Sequence, residues 1–258
     1  MVLPTGFGVN CERETAAAFT HAGAQVDALH LNDLIADPDR LRRARILALC
    51  GGFSFGDHLG AGRVLANRLR HKLRDALDAF VADGGLVLGI CNGFQTMVCL
   101  GLLPSGRPGP QQLSLRENRH GSFYDGWVTL GADAESPCVF TRGIERLEVP
   151  VRHGEGRLAA PPELVEQLER EHLVPLRYLD PETGLPTERF PHDPNGSALQ
   201  AAGVCDPSGR IFGLMPHPEA FLHPENHPNW RRRRLASGHR GDGEGLQIFV
   251  NAVESARG

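Results

Sequence analysis

Leu86-Val87-Leu88-Gly89-Ile90-Cys91-Asn92-Gly93-Phe94-Gln95 is the stretch on which the fold turns. Its first five residues are apolar and follow the breakers Asp83-Gly84-Gly85, as in a strand buried on both faces. A helix over 94–100 starts at once, so strand and helix meet in a tight turn at Cys91. Working upstream, residues 46–50 form a second apolar run that ends at Gly51-Gly52. Between the two runs, residues 63–82 read as one long amphipathic helix with Leu65, Leu69, Leu73, Leu77, Phe80 and Val81 on one stripe. Residues 12–22 read as a helix, 25–29 as a strand, and 33–43 as a helix interrupted near Pro38. Any strand before residue 6 is expected to be unusually short, unless the sequence as given starts late. This β-α alternation predicts an α/β protein with a parallel sheet covered by helices.

Downstream the pattern changes. Residues 127–130, 147–151, 174–178, 198–202 and 211–215 read as short strands separated by Pro- and Gly-rich loops. Residues 162–170 and 245–256 read as helices, and 221–245 as a loop-rich stretch. No repeat or long linker divides the chain, so 1–258 is expected to be one domain.

Composition limits the function classes. Gly (31) and Pro (19) are abundant, yet 41% of the 258 residues are hydrophobic and 22% charged, as in an ordinary globular protein. A net charge of −4 argues against a general nucleic-acid or membrane-surface binder. The local exception is Arg231-Arg232-Arg233-Arg234, read as a solvated basic loop or a contact for an anion or partner. The six cysteines form no C-x-x-C, and a chain of this size needs no disulfide staples. With no signal-peptide pattern at the start and no apolar run near the ~20 residues of a membrane span, a cytoplasmic location is expected.

Three local features carry chemistry. The first is Gly89-Ile90-Cys91-Asn92-Gly93, the cysteine counterpart of the G-x-S-x-G nucleophile elbow. Small residues on both sides let strand and helix approach, and the helix N-terminus favours a thiolate. A buried cysteine beside a strand–helix turn would look the same. The second is His217-Pro218-Glu219. Pro218 disfavours a helical His217, and in an extended segment residues 217 and 219 share a side. Glu219 could then orient an imidazole that serves a thiol, although two such neighbours alone are weak grounds. The third is the glycine-rich bend at 51–57, which could aim backbone N–H groups at an oxyanion or be a plain turn; Asn92 N–H would be the second donor. Together the three favour a cysteine nucleophile.

The residues GICNGFQ at 89–95 and PHPE at 216–219 resemble the triad (class I) glutamine amidotransferases. Within that group NCERET at 10–15, GGFSFGDHLGAG at 51–62, HGEG at 153–156 and DPNGS at 193–197 resemble the glutaminase components of phosphoribosylformylglycinamidine synthases. The resemblance implies a flavodoxin-like three-layer α/β fold with a central, mostly parallel sheet and helices on both faces. It implies Cys91 as nucleophile, His217 as base and Glu219 as its orienter. Gly52 and Asn92 would supply the oxyanion N–H groups, and Gln95 a contact to bound glutamine. The chain carries neither G-x-x-x-x-G-K-[ST] nor G-x-G-x-x-G. No cofactor or metal is therefore expected in it, and ATP with Mg is expected on a partner synthetase subunit, assisted by a small third subunit. Other readings are a different amidotransferase or a γ-glutamyl hydrolase, a catalytically silent scaffold, and a metal site built from His217, Glu219, His223 and His227.

Overall fold

The structure is a computed structural model and describes residues 1–237 and 241–258. The elements run β1 (Val2–Thr5), α1 (Glu12–His21), β2 (Asp27–His30), α2 (Leu31–Ala36), α3 (Asp39–Arg43), β3 (Ile46–Leu49), α4 (Arg63–Lys72), α5 (Arg74–Ala82), β4 (Leu86–Ile90) and α6 (Asn92–Leu100). They continue with β5 (Ser114–Glu117), β6 (Tyr124–Ala132), β7 (Arg146–His153), β8 (Glu155–Ala159), α7 (Pro162–Arg170), β9 (Leu176–Leu179), β10 (Ala201–Cys205), β11 (Ile211–Leu214), α8 (Trp230–Ser237) and α9 (Leu246–Arg257).

Among the described residues nine strands form one sheet in the order β2-β1-β3-β4-β11-β10-β9-β6-β7. The first five pair in parallel, and the pairings from β11 to β7 are antiparallel. The parallel half has the 2-1-3-4-5 order of flavodoxin-like folds, with β11 in fifth place; ligands in such sheets bind at the carboxyl ends of the strands. Every residue of β3 and β4 is buried, as strands covered on both faces require. β5 and β8 make a separate two-stranded ribbon.

The periodic segments fold as their spacing predicts, with informative exceptions. The helix expected over 63–82 breaks into α4 and α5 at Leu73, whose φ of −128° leaves the helical region. Leu65, Leu69, Leu73, Leu77 and Phe80 are nonetheless all buried, so the apolar stripe runs across the break and spacing carries no trace of it. Arg231 to Arg234 lie in helix α8, not a loop. Prolines at 224 and 228 and glycines from 238 onward mask an eight-residue window without a breaker, rich in Arg, a good helix former. Residues 238–240 of that glycine-rich stretch lie outside the described residues. The first strand is short, as expected, at four residues. No helix among the described residues is long and apolar enough to cross a membrane.

Helix α6 positions the site. It is buried on almost every side, so it lies inside the molecule rather than on its surface. Space for it comes from glycine: Gly213 of β11 pairs with Gly89 of β4, and a Cβ on either would collide with α6, at Phe94 or at Met97 and Gly93.

Candidate active site

Cys91 stands between β4 and α6 with φ 51° and ψ −106°, a backbone conformation that L-residues avoid. Two hydrogen bonds hold it there. Its N–H donates to Leu214 O of β11 (2.8 Å), and its carbonyl accepts from Gln95 N–H (3.0 Å), starting the helix. Gly93 completes the elbow, because a Cβ there would run into the main-chain carbonyl of Leu49. The thiol is buried at the helix N-terminus, with the carbonyl of Arg152 3.9 Å away.

β11 delivers the second group. His217 follows it with its N–H donated to Pro150 O (2.7 Å), and Nδ1 meets Glu219 Oε1 at 2.6 Å. Both side chains are buried, at 2% and 1% exposure. Residues 218–220 form a 3-10 turn and not the extended segment expected from Pro218, yet the turn still carries the carboxylate onto the imidazole. Burial by itself opposes charge on His217. The Glu219 carboxylate, with contributions from the Cys91 and Cys11 thiols, outweighs it and holds the imidazole well above its ordinary range. The imidazole is thus arranged to accept and keep a proton, and its other ring nitrogen, Nε2, is buried without a hydrogen-bond partner.

Gly52 lies opposite Val9 in an antiparallel bridge whose hydrogen bonds are made by the flanking residues, Phe53 N–H to Gly8 O and Asn10 N–H to Gly51 O. In such a pair the Gly52 N–H turns away from residue 9. Its φ of +142° is open to glycine, and a Cβ there would sit 2.7 Å from Gly8 O. The Asn92 side chain is fully engaged: its oxygen accepts from Ser54 N–H (3.0 Å), and its amide donates to Asp57 (3.1 Å) and Gln95 (2.9 Å). Elbow and glycine-rich loop are thereby tied together, leaving the Asn92 N–H at the first turn of α6. Gln95 donates to Glu155 O (2.6 Å) and lines a cavity of about 220 Å³ with Arg63, Ser114 and Arg116, a cavity Cys91 does not line.

Some neighbours were not legible in the sequence. Cys11, at the start of α1, places Sγ 3.9 Å from His217 Nδ1 and 3.9 Å from an Arg152 guanidinium nitrogen. NCERET names the segment, but no spacing links it to residue 217. Behind the site, Asn118 bonds His153 O and Gly156 N–H, while Asn195 donates to Gly156 O and to the buried Tyr178 hydroxyl. HGEG and DPNGS are therefore one network that fixes the β7–β8 turn. Burial, with His217 and His120 nearby, holds His153 down to about 3, so it is neutral there. The four-residue metal reading is not supported by position: His223 bonds Asn226, and His227 meets Glu148 at 3.1 Å, apart from His217 and Glu219. In the Arg run, Arg233 pairs with Glu148 and Glu244, and Arg231 packs over Trp230. A larger depression of about 610 Å³ near Glu145 and Gln247 is lined by none of Cys91, His217 and Glu219.

Known proteins similar to this chain share one family. A family model described as a CobB/CobQ-like glutamine amidotransferase domain matches residues 1–255. The chain is 45% identical to the phosphoribosylformylglycinamidine synthase subunit PurQ of Dehalococcoides mccartyi over 97% of its length and 94% of the relative's. It is 40% identical to the PurQ subunit of Methanococcus maripaludis over 98% and 96%. Among solved structures, PurLQS from Thermotoga maritima matches with a TM-score of 0.69 and 28% identity over 98% of this chain and 97% of that one.

Proposed function

Because the chain belongs to the CobB/CobQ-like glutamine amidotransferase family, we propose that it is the glutaminase component of a phosphoribosylformylglycinamidine synthase. Cys91 Sγ attacks the side-chain amide carbon of glutamine. His217 takes the thiol proton and returns it to the departing ammonia, leaving a γ-glutamyl thioester. Water, its proton taken by the same imidazole, then cleaves the thioester to glutamate and the free thiol. Glu219 fixes the imidazole and stabilises its charged form. The Gly52 and Asn92 N–H groups bind the oxyanion that forms in each half. Gln95 lies one turn from the nucleophile, and we assign it the glutamine-facing side of α6, where it also anchors the Glu155 segment.

Ammonia passes to an ATP-dependent synthetase subunit that converts formylglycinamide ribotide to the amidine, with a small accessory subunit completing the assembly. ATP and Mg belong to that partner. The names of the PurQ relatives and of the PurLQS assembly support the pairing. The six free thiols fit a reducing cytoplasm.

One observation carries the reading: a cysteine on a strained strand–helix elbow within electrostatic reach of a buried His–Glu pair. A glutamine analogue bearing an electrophile at the γ position should alkylate the wild-type chain on Cys91, as read by peptide mass mapping. Alkylation at Cys11 in place of Cys91 would overturn the assignment of the nucleophile.

A further inference from the structure

His217 and Glu219 have a third neighbour, which carries no bond-making or proton-transfer step of the proposed glutaminase chemistry. Cys11 Sγ, His217 Nδ1 and a Glu219 carboxylate oxygen all lie within 4.8 Å of one another, and all three residues are buried. They come from opposite ends of the chain, the start of α1 and the turn after β11. One thiol, one imidazole and one carboxylate are a donor set suited to zinc or cadmium. The second oxygen, Glu219 Oε2, is buried without a hydrogen-bond partner.

We propose that Cys11, His217 and Glu219 form a binding site for a thiophilic divalent cation. Metal–sulfur and metal–nitrogen bonds of about 2.3 and 2.0–2.1 Å at a tetrahedral angle put S and N about 3.6 Å apart. The observed separation is 3.9 Å. Glu219 Oε1, now 2.6 Å from Nδ1, must back away by less than about 1 Å, or Oε2 can serve instead. The cation takes the place of the proton between Nδ1 and the carboxylate and of the thiol proton, and both protons leave to solvent. The Arg152 guanidinium, 3.9 Å from the sulfur and only partly buried, opposes a second cation and must swing outward. The fourth position is left to water. Such an ion holds the Glu219 carboxylate on metal and fixes Nδ1, so it blocks the proton transfers proposed above. It is an inhibitor and not a cofactor.

Binding is independent of the glutaminase reading, whereas inhibition rests on it, so the two are read separately. Cadmium is added to the full chain, and the ultraviolet sulfur-to-cadmium charge-transfer band is followed in wild type, Cys11→Ser and Cys91→Ala. The band should appear in wild type and Cys91→Ala. In Cys11→Ser the affinity should fall at least about tenfold, since even partners beyond the ligands cost that much. Cadmium sensitivity, read as the fractional loss of each variant's own metal-free rate of glutamine hydrolysis, should fall in Cys11→Ser by a matching factor. A band that survives in Cys11→Ser and vanishes in Cys91→Ala would overturn the site, as would the absence of a band from the wild type.

Discussion

In the proposed mechanism Glu219 acts only through His217, and its removal should make that visible as a change in pH dependence. The carboxylate is the main influence raising the imidazole against burial, so Glu219→Gln lowers the pH at which His217 loses its proton. The high-pH limb of the kcat profile should move downward, and kcat should fall by roughly 10²–10⁴-fold, the usual scale of acid–base assistance. A kcat loss with an unmoved limb would contradict this role. His153 gives a second prediction. The unfolded chain protonates it near 6.5, while the folded chain resists until about 3. The unfolded state therefore binds more protons in that window, and stability falls as pH drops from 6.5 toward 3, by up to about 1.4 kcal/mol per unit. Denaturant unfolding of His153→Leu should show a shallower loss than wild type over that range. Parallel slopes would mean that His153 is protonated when folded.

At the scale of elements, the elbow is a packing problem solved by glycine. Gly93→Ala would press a methyl group into the main chain of β3, which cannot move without the sheet. Overpacking of this kind costs about 1–3 kcal/mol, and the urea midpoint should drop accordingly with an unchanged slope. A midpoint equal to wild type would show that α6 sits less tightly on β3. The same scale explains what the sequence disclosed. The strand at 86–90, the glycine spacing around Cys91 and the helix at 162–170 were legible because period and punctuation are local. The break at Leu73 was hidden because the buried stripe continues through it. The ribbon of β5 and β8 was missed because its strands are short, partly exposed and paired only across some 40 residues. The register Gly89 beside Gly213 follows from tertiary pairing alone.

The whole molecule brings Cys91, His217 and Glu219 together by inserting the last strand of the chain, β11, beside β4. That insertion puts Cys91 and His217, proposed above as nucleophile and base, just past the carboxyl ends of two adjacent parallel strands. Local reading supplied both halves of the pair, whereas their meeting, and the arrival of Cys11 from the other end of the chain, needed the sheet order. In the complex the account divides labour: this chain releases ammonia, and the synthetase consumes it. The most direct test uses the Cys91→Ala chain reconstituted with its synthetase partner and assayed with glutamine and, separately, with ammonium. The account predicts that glutamine-dependent amidation is lost while ammonium-dependent amidation continues at the wild-type rate. Glutamine-dependent turnover persisting in Cys91→Ala would contradict it.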